Sequence, residues 1–96
     1  MTRVTVDFRG LPNAQKLAGA KSLALEVDGS TVADAVRTLG DRGGEKLRRF
    51  LLDDEGKLDL AFQVVHNGRD WLRRDQLDRP IAEGDVVTIT MLVGGG

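Results

Sequence analysis

A chain of 96 residues is large enough for one hydrophobic core and too small to divide into two, so a single domain is expected. Hydrophobic residues make up 41% and charged residues 30%, with a net charge of -1, which is the balance of a folded globular domain; Arg48-Arg49 and Arg73-Arg74 are too short to form a nucleic-acid stripe. The chain has no cysteine, which excludes disulfides, zinc-thiolate sites, iron-sulfur clusters and thiol nucleophiles. It also shows neither an N-terminal apolar run after Met1 nor about 18 consecutive apolar residues, so no secretory signal or membrane span is expected and the cytoplasm is the default location.

Val4, Val6 and Phe8 alternate with Thr5, Asp7 and Arg9, the period of a half-buried strand, until Gly10, Pro12 and Asn13 break it. Leu23, Leu25 and Val27 repeat the pattern up to Gly29, as a second strand antiparallel to the first. Thr31 and Asp34 have the spacing of a capping box, Val32, Ala35, Val36 and Leu39 follow at helical spacing, and Gly40 stands where a C-cap glycine belongs. Glu45 to Leu52 reads as a short helix or turn with Leu47, Phe50 and Leu51 on one side, followed by a polar turn over Asp53 to Gly56.

Leu60, Phe62 and Val64 then alternate as a third strand, and Asn67-Gly68 is a strong hairpin signal because both residues tolerate positive φ. Arg69 to Leu72 is the return strand, Leu77, Pro80 and Ile81 an apolar anchor in a polar loop, and Glu83-Gly84-Asp85 the next turn. Val87, Ile89 and Met91 form the final strand, which runs into Gly94-Gly95-Gly96. The order is that of an α+β β-grasp (ubiquitin-like) fold, a mixed five-strand sheet with one main helix, with the domain over residues 1–93 and a flexible glycine tail over 94–96. Val4, Val6, Leu25, Val36, Leu39, Phe62, Val64, Val87 and Ile89 are the expected core.

Few side chains outside the tail suggest chemistry. His66, beside a turn with no cysteine or second histidine, reads as a surface or strand residue without a role. Asp53-Asp54-Glu55 lacks the spacing of a calcium loop, and Gly40 to Lys46 fails the phosphate-loop pattern, so the chain by itself is expected to bind neither metal nor ATP. Trp71, Leu92 and Val93 are candidates for either core packing or docking.

The stretch Phe62 to Gly96, with the Asn67-Gly68 hairpin, the Glu83-Gly84-Asp85-Val86-Val87 turn into a strand and the terminal Gly95-Gly96, resembles the C-terminal half of the ubiquitin-like sulfur carriers of the MoaD/ThiS type. These include the small subunit of molybdopterin synthase and the thiamine-pathway carrier. Thr31-Val32-Ala33-Asp34 and the Val4-Val6-Phe8 opening extend the resemblance over nearly the whole chain. It implies a carrier that is not itself an enzyme. In such a carrier an E1-like activating enzyme, using ATP and Mg, adenylates the C-terminal carboxylate, here that of Gly96. A sulfur donor then leaves a thiocarboxylate for a recipient such as a synthase large subunit.

The residues suit that role. A carboxylate is a poor electrophile until it carries a good leaving group. Three residues extend roughly 10 Å, and Gly94, Gly95 and Gly96, lacking Cβ atoms, can thread a narrow channel. The sequence departs from molybdopterin-type carriers in having Thr90-Met91-Leu92-Val93 where many have a Phe-Pro-Pro stretch, which leaves the receiving pathway open. A protein modifier joined through Gly96 to lysines of its targets is the alternative, and a β-grasp interaction module without tail chemistry is a weaker third.

Overall fold

The computed structural model describes residues 1–92. Strand β1 (Thr2–Arg9) buries Val4, Val6 and Phe8 on one face, as the alternation requires. Pro12, expected only to break the pattern, instead starts helix α1 (Pro12–Ala18). Its ring sets a helical φ, and its missing N–H is lost at a position where no intrahelical partner exists. Leu11 and Ala14 are thereby turned into the core. Strand β2 (Ser22–Val27) returns antiparallel, with Leu25 opposite Val4 and Leu23 opposite Val6.

The capping box forms as expected. The Asp34 N–H donates to Thr31 Oγ1 at 3.2 Å, the Thr31 N–H donates to Asp34 Oδ2 at 3.1 Å, and helix α2 (Val32–Arg42) follows. Gly40, however, is not the cap. It is buried inside α2, where an added Cβ would fall 2.6 Å from Leu52 Cδ1, so its missing side chain serves close packing; the helix ends at Gly43. Helix α3 (Glu45–Leu51) buries Leu47 and Leu51, and Phe50 packs its ring on Phe62 with centroids 5.5 Å apart.

Strand β3 (Phe62–His66) begins two residues later than the alternation suggests. Asp59 accepts from the N–H groups of Ala61 and Phe62, holding a turn that leaves Leu60 outside the strand. Asn67 (φ 56°) and Gly68 (φ 67°) make the hairpin to β4 (Asp70–Leu72). Beyond it, Leu77 is buried and Ile81 packs partly against the core, whereas Pro80 stays exposed and only bridges to Thr31.

Strand β5 (Val86–Met91) completes a five-stranded sheet of order β2-β1-β5-β3-β4, parallel to β1 and antiparallel to β3. All nine expected core residues are buried in one cluster with residues of the three described α-helices. This is the β-grasp fold. The longest described helix, α2, is the expected main helix, α3 falls where a short helix or turn was read, and α1 is an addition to the expected elements. The boundary between residues 93 and 94 lies outside the described residues.

Candidate functional site at the root of the C-terminal tail

Strand β5 is held from both sides along its length. Phe8 of β1 and Val64 of β3 both register with Ile89, and Arg9 and Gln63 both register with Thr90. Among the described residues the tie nearest the tail is the Leu92 N–H, which donates to the Ala61 carbonyl at 2.8 Å. The expected site residues Val93, Gly94, Gly95 and Gly96 lie outside the described residues, so the described part of the site is its root.

Three large apolar side chains are exposed at this root: Leu60 at 69%, Met91 at 49% and Leu92 at 45%. A notch of about 310 Å³ runs between Leu60, Phe62 and Leu92 on one side and Arg73, Arg74 and Asp75 on the other. Arg74 is committed, since its Nη2 lies 2.6 Å from Asp53 Oδ2. The Lys57 N–H chiefly, with the Glu55 N–H and Arg74, holds the Asp53 carboxyl below the usual carboxylate range despite its desolvation. The notch therefore has apolar side chains from Leu60, Phe62 and Leu92 and a mixed polar rim, with Arg73 and Asp75 beside the paired Arg74. Sequence reading marked Leu92 but took Leu60 and Met91 as strand positions, because both continue the alternation. Trp71, 56% exposed, stands across from the buried Val65 on β3 rather than in the main core.

The start of β5 is fixed by a polar network that the sequence did not reveal. His66 is buried, and its Nε2 lies 2.8 Å from Asp85 Oδ2, which also accepts from the Ala82 N–H. Asn67 donates to Asp85 Oδ1 and accepts from the Val86 N–H, stapling the hairpin turn to β5. Burial alone pushes the Asp85 carboxyl up, but donation from Ala82, His66 and Asn67 outweighs it and leaves the group below its usual range.

Asp34, at the start of α2, is likewise lowered, chiefly by the Ser30 N–H. A carboxyl with a folded pKa below its unfolded value binds fewer protons when folded. The stability it supplies is therefore complete above the ordinary carboxylate range and is lost as pH falls through the folded value. Melting temperature is expected to drop as pH falls below about 4. Asp85→Asn is expected to cost about 1–3 kcal/mol at pH 7 and to shrink the acid drop. A melting series whose acid limb is the same in the variant would contradict the assignment.

Among the described residues no group of three or more His, Asp or Glu side chains comes together as a metal site, and no helix is long and apolar enough to cross a membrane. A mixed sheet grasping a helix, with its central strand leading to a run of glycines in the sequence, defines a ubiquitin-like protein. The chain belongs to the ThiS family, whose model matches residues 12–96. It is similar to SAMP1 of Haloferax volcanii at 25% identity and a TM-score of 0.75, covering 98% of this chain and 99% of that one. It is also similar to a chain of the Amycolatopsis orientalis BexX/CysO complex at 30% identity and a TM-score of 0.64, covering 97% and 99%. Urm1 of Trypanosoma brucei shares the fold at 24% identity and a TM-score of 0.69, covering 99% and 96%. No curated protein matches the sequence.

Proposed function

We propose that this chain is a sulfur carrier whose reactive group is the Gly96 carboxylate. The observation that carries the reading is a glycine run that begins two residues after the clamped β5, in a chain whose ThiS-family match extends through Gly96. A carboxylate oxygen of Gly96 attacks the α-phosphorus of ATP on a separate E1-like enzyme, with Mg there, and pyrophosphate leaves. Hydrosulfide from a sulfur donor then attacks the acyl carbon, the bond from that carbon to the phosphate oxygen breaks with its electron pair going to AMP, and loss of the thioacid proton gives the thiocarboxylate. This chain supplies the thread and the docking surface; the nucleotide chemistry belongs to the partner. It acts as co-substrate or small subunit, and the recipient is a sulfur-accepting enzyme, with molybdopterin-type biosynthesis one such destination.

A second reading, conjugation through Gly96 to lysines of target proteins, is favoured by the similarity to SAMP1, the small archaeal modifier protein 1. Both readings share the adenylate, and cytoplasmic chemistry suits both.

The test is incubation with a cognate activating enzyme, ATP and sulfide, with intact mass read for exchange of one oxygen for sulfur. Protein from native cells is measured alongside, which also reports whether Gly96 is the terminal residue, and lysine peptides are searched for glycine remnants. Leu92→Glu places a charge on the apolar notch and is expected to slow loading about tenfold or more with an unchanged melting temperature, as loss of an apolar docking anchor does. Loading at the wild-type rate would remove Leu92 from the docking surface.

A further inference from the structure

The Asn67-Gly68 turn between β3 and β4 sets a side-chain amide beside a peptide nitrogen that nothing shields. A Cβ built on Gly68 would meet nothing within 4 Å, and the Gly68 N–H donates to no protein group among the described residues. Asn67 is exposed, and its own N–H is tied to the Val86 carbonyl at 2.8 Å. Asparagine is among the thermolabile residues. The nitrogen that follows it can close a five-membered ring on the side-chain carbonyl carbon, most readily where that nitrogen belongs to glycine and no Cβ stands in the way. The chain's other asparagine, Asn13, lies in α1 and is followed by the buried Ala14.

The fold restrains the Asn67 amide at both of its polar atoms. Nδ2 donates to Asp85 Oδ1 at 3.2 Å, and Oδ1 accepts from the Val86 N–H at 2.8 Å. The other Asp85 oxygen is occupied by His66 and the Ala82 N–H. Among the remaining charged groups of these turns, Asp70 pairs with Arg79 at 2.9 Å, Glu83 accepts from the Arg3 N–H, and Arg69 follows Gly68 in the chain. Changing the amide to a carboxylate keeps the acceptor for Val86 but puts a second negative charge where Asp85 now meets a donor. Two carboxylates this close disfavour the doubly ionised state.

We propose that Asn67 is a site of spontaneous deamidation, restrained while its side chain is stapled to Asp85 and Val86, and that the product turns this staple into a repulsion at the start of β5. Hydroxide takes the Gly68 N–H proton, and the nitrogen attacks Asn67 Cγ. The bond from Cγ to Nδ2 breaks, and with a proton from water ammonia leaves a cyclic imide. Water then adds across one of the two imide carbon–nitrogen bonds, so that overall one water is taken up and one ammonia lost. Opening at the backbone carbonyl carbon gives isoaspartate, which routes the main chain through an extra carbon and lengthens the turn; opening at the side-chain carbon gives aspartate. The staple must open before the side chain can reach attack geometry, so the modification records how often it does. The tail root lies at the opposite end of β5, and the lesion acts on the lifetime of the fold rather than on the terminal carboxylate.

The test is incubation of the full chain in mildly alkaline buffer, with peptide mass mapping to follow replacement of a side-chain NH2 by OH. Conversion is expected at Asn67, faster as hydroxide rises, and none at Asn13. Asp85→Ala removes the acceptor of the Asn67 amide and is expected to speed conversion about tenfold or more in folded molecules. Asn67→Asp installs the product directly, and Asn67→Gly removes the donor without adding a charge. Near neutral pH the first is expected to melt about 4 to 8 °C below the second. The gap is expected to close as pH falls into the carboxylate range, where a proton shared by the two carboxyls restores a donor to Asp85. Where Asp85→Ala does not fold, the Asn13 comparison and these melts decide. The proposal is overturned by conversion at Asn67 no greater than at Asn13, by an unchanged rate in folded Asp85→Ala, or by a gap between Asn67→Asp and Asn67→Gly that does not change with pH.

Discussion

Deleting Gly95 and Gly96 is expected to abolish sulfur loading while shifting the melting temperature by no more than about 2 °C. Among the described residues, β5 fills the core with Val87 and Ile89, and the Leu92 N–H is tied to the Ala61 carbonyl, so the fold is anchored ahead of the two deleted residues. Two residues nevertheless withdraw the carboxylate by roughly 7 Å, and a group displaced even by about 1 Å from its attack geometry reacts far more slowly. Adding one residue after Gly96 is expected to be nearly as harmful, since the reactive carboxylate becomes an amide. The readout is intact mass after incubation with activating enzyme, ATP and sulfide, set beside a thermal melt of each variant. Sulfur acquired by the truncated or extended chain at the wild-type rate would show that Gly96 is not the reactive group.

The parts of this molecule legible in the sequence are those set by neighbours along the chain. Alternation exposed β1 and β5, the Thr31–Asp34 spacing exposed the start of α2, and Asn67-Gly68 exposed the hairpin, because each signal lies within a few residues of its effect. The errors arose where a residue answers to something distant. Gly40 looks like a helix stop in its own window, and only the approach of Leu52 explains why it lies inside α2. Pro12 breaks a strand and starts a helix with the same ring, and local pattern does not separate the two. Leu60 keeps the strand alternation while Asp59 turns it out. His66 and Asp85 stand 19 residues apart, and the parallel pairing of β1 with β5, the first strand with the last, has no local signature. The glycine tail was read from composition and lies outside the described residues, whereas the notch at its root needed the fold.

Ile89→Ala is expected to have the largest effect on stability of any single change considered. Ile89 is fully buried at the centre of β5, in register with Phe8 on one side and Val64 on the other, so the two neighbouring strands limit collapse into the space left. Removing its outer carbons forfeits their transfer energy and leaves a cavity, at a combined cost of about 3–4 kcal/mol within the usual 2–5. Against a total stability of roughly 5–15 kcal/mol, that lowers the melting temperature by about 12 to 30 °C for a domain of this size. Ile89→Val, which keeps the branch, is expected to cost about 1 kcal/mol. Denaturant unfolding measures both, and an Ile89→Ala loss below about 1 kcal/mol would mean that β5 is not the packed centre of the sheet. The same variant separates fold from chemistry in the direction opposite to the tail deletion. At a temperature where it remains folded, its glycines are intact, and each folded molecule is expected to acquire sulfur as the wild type does.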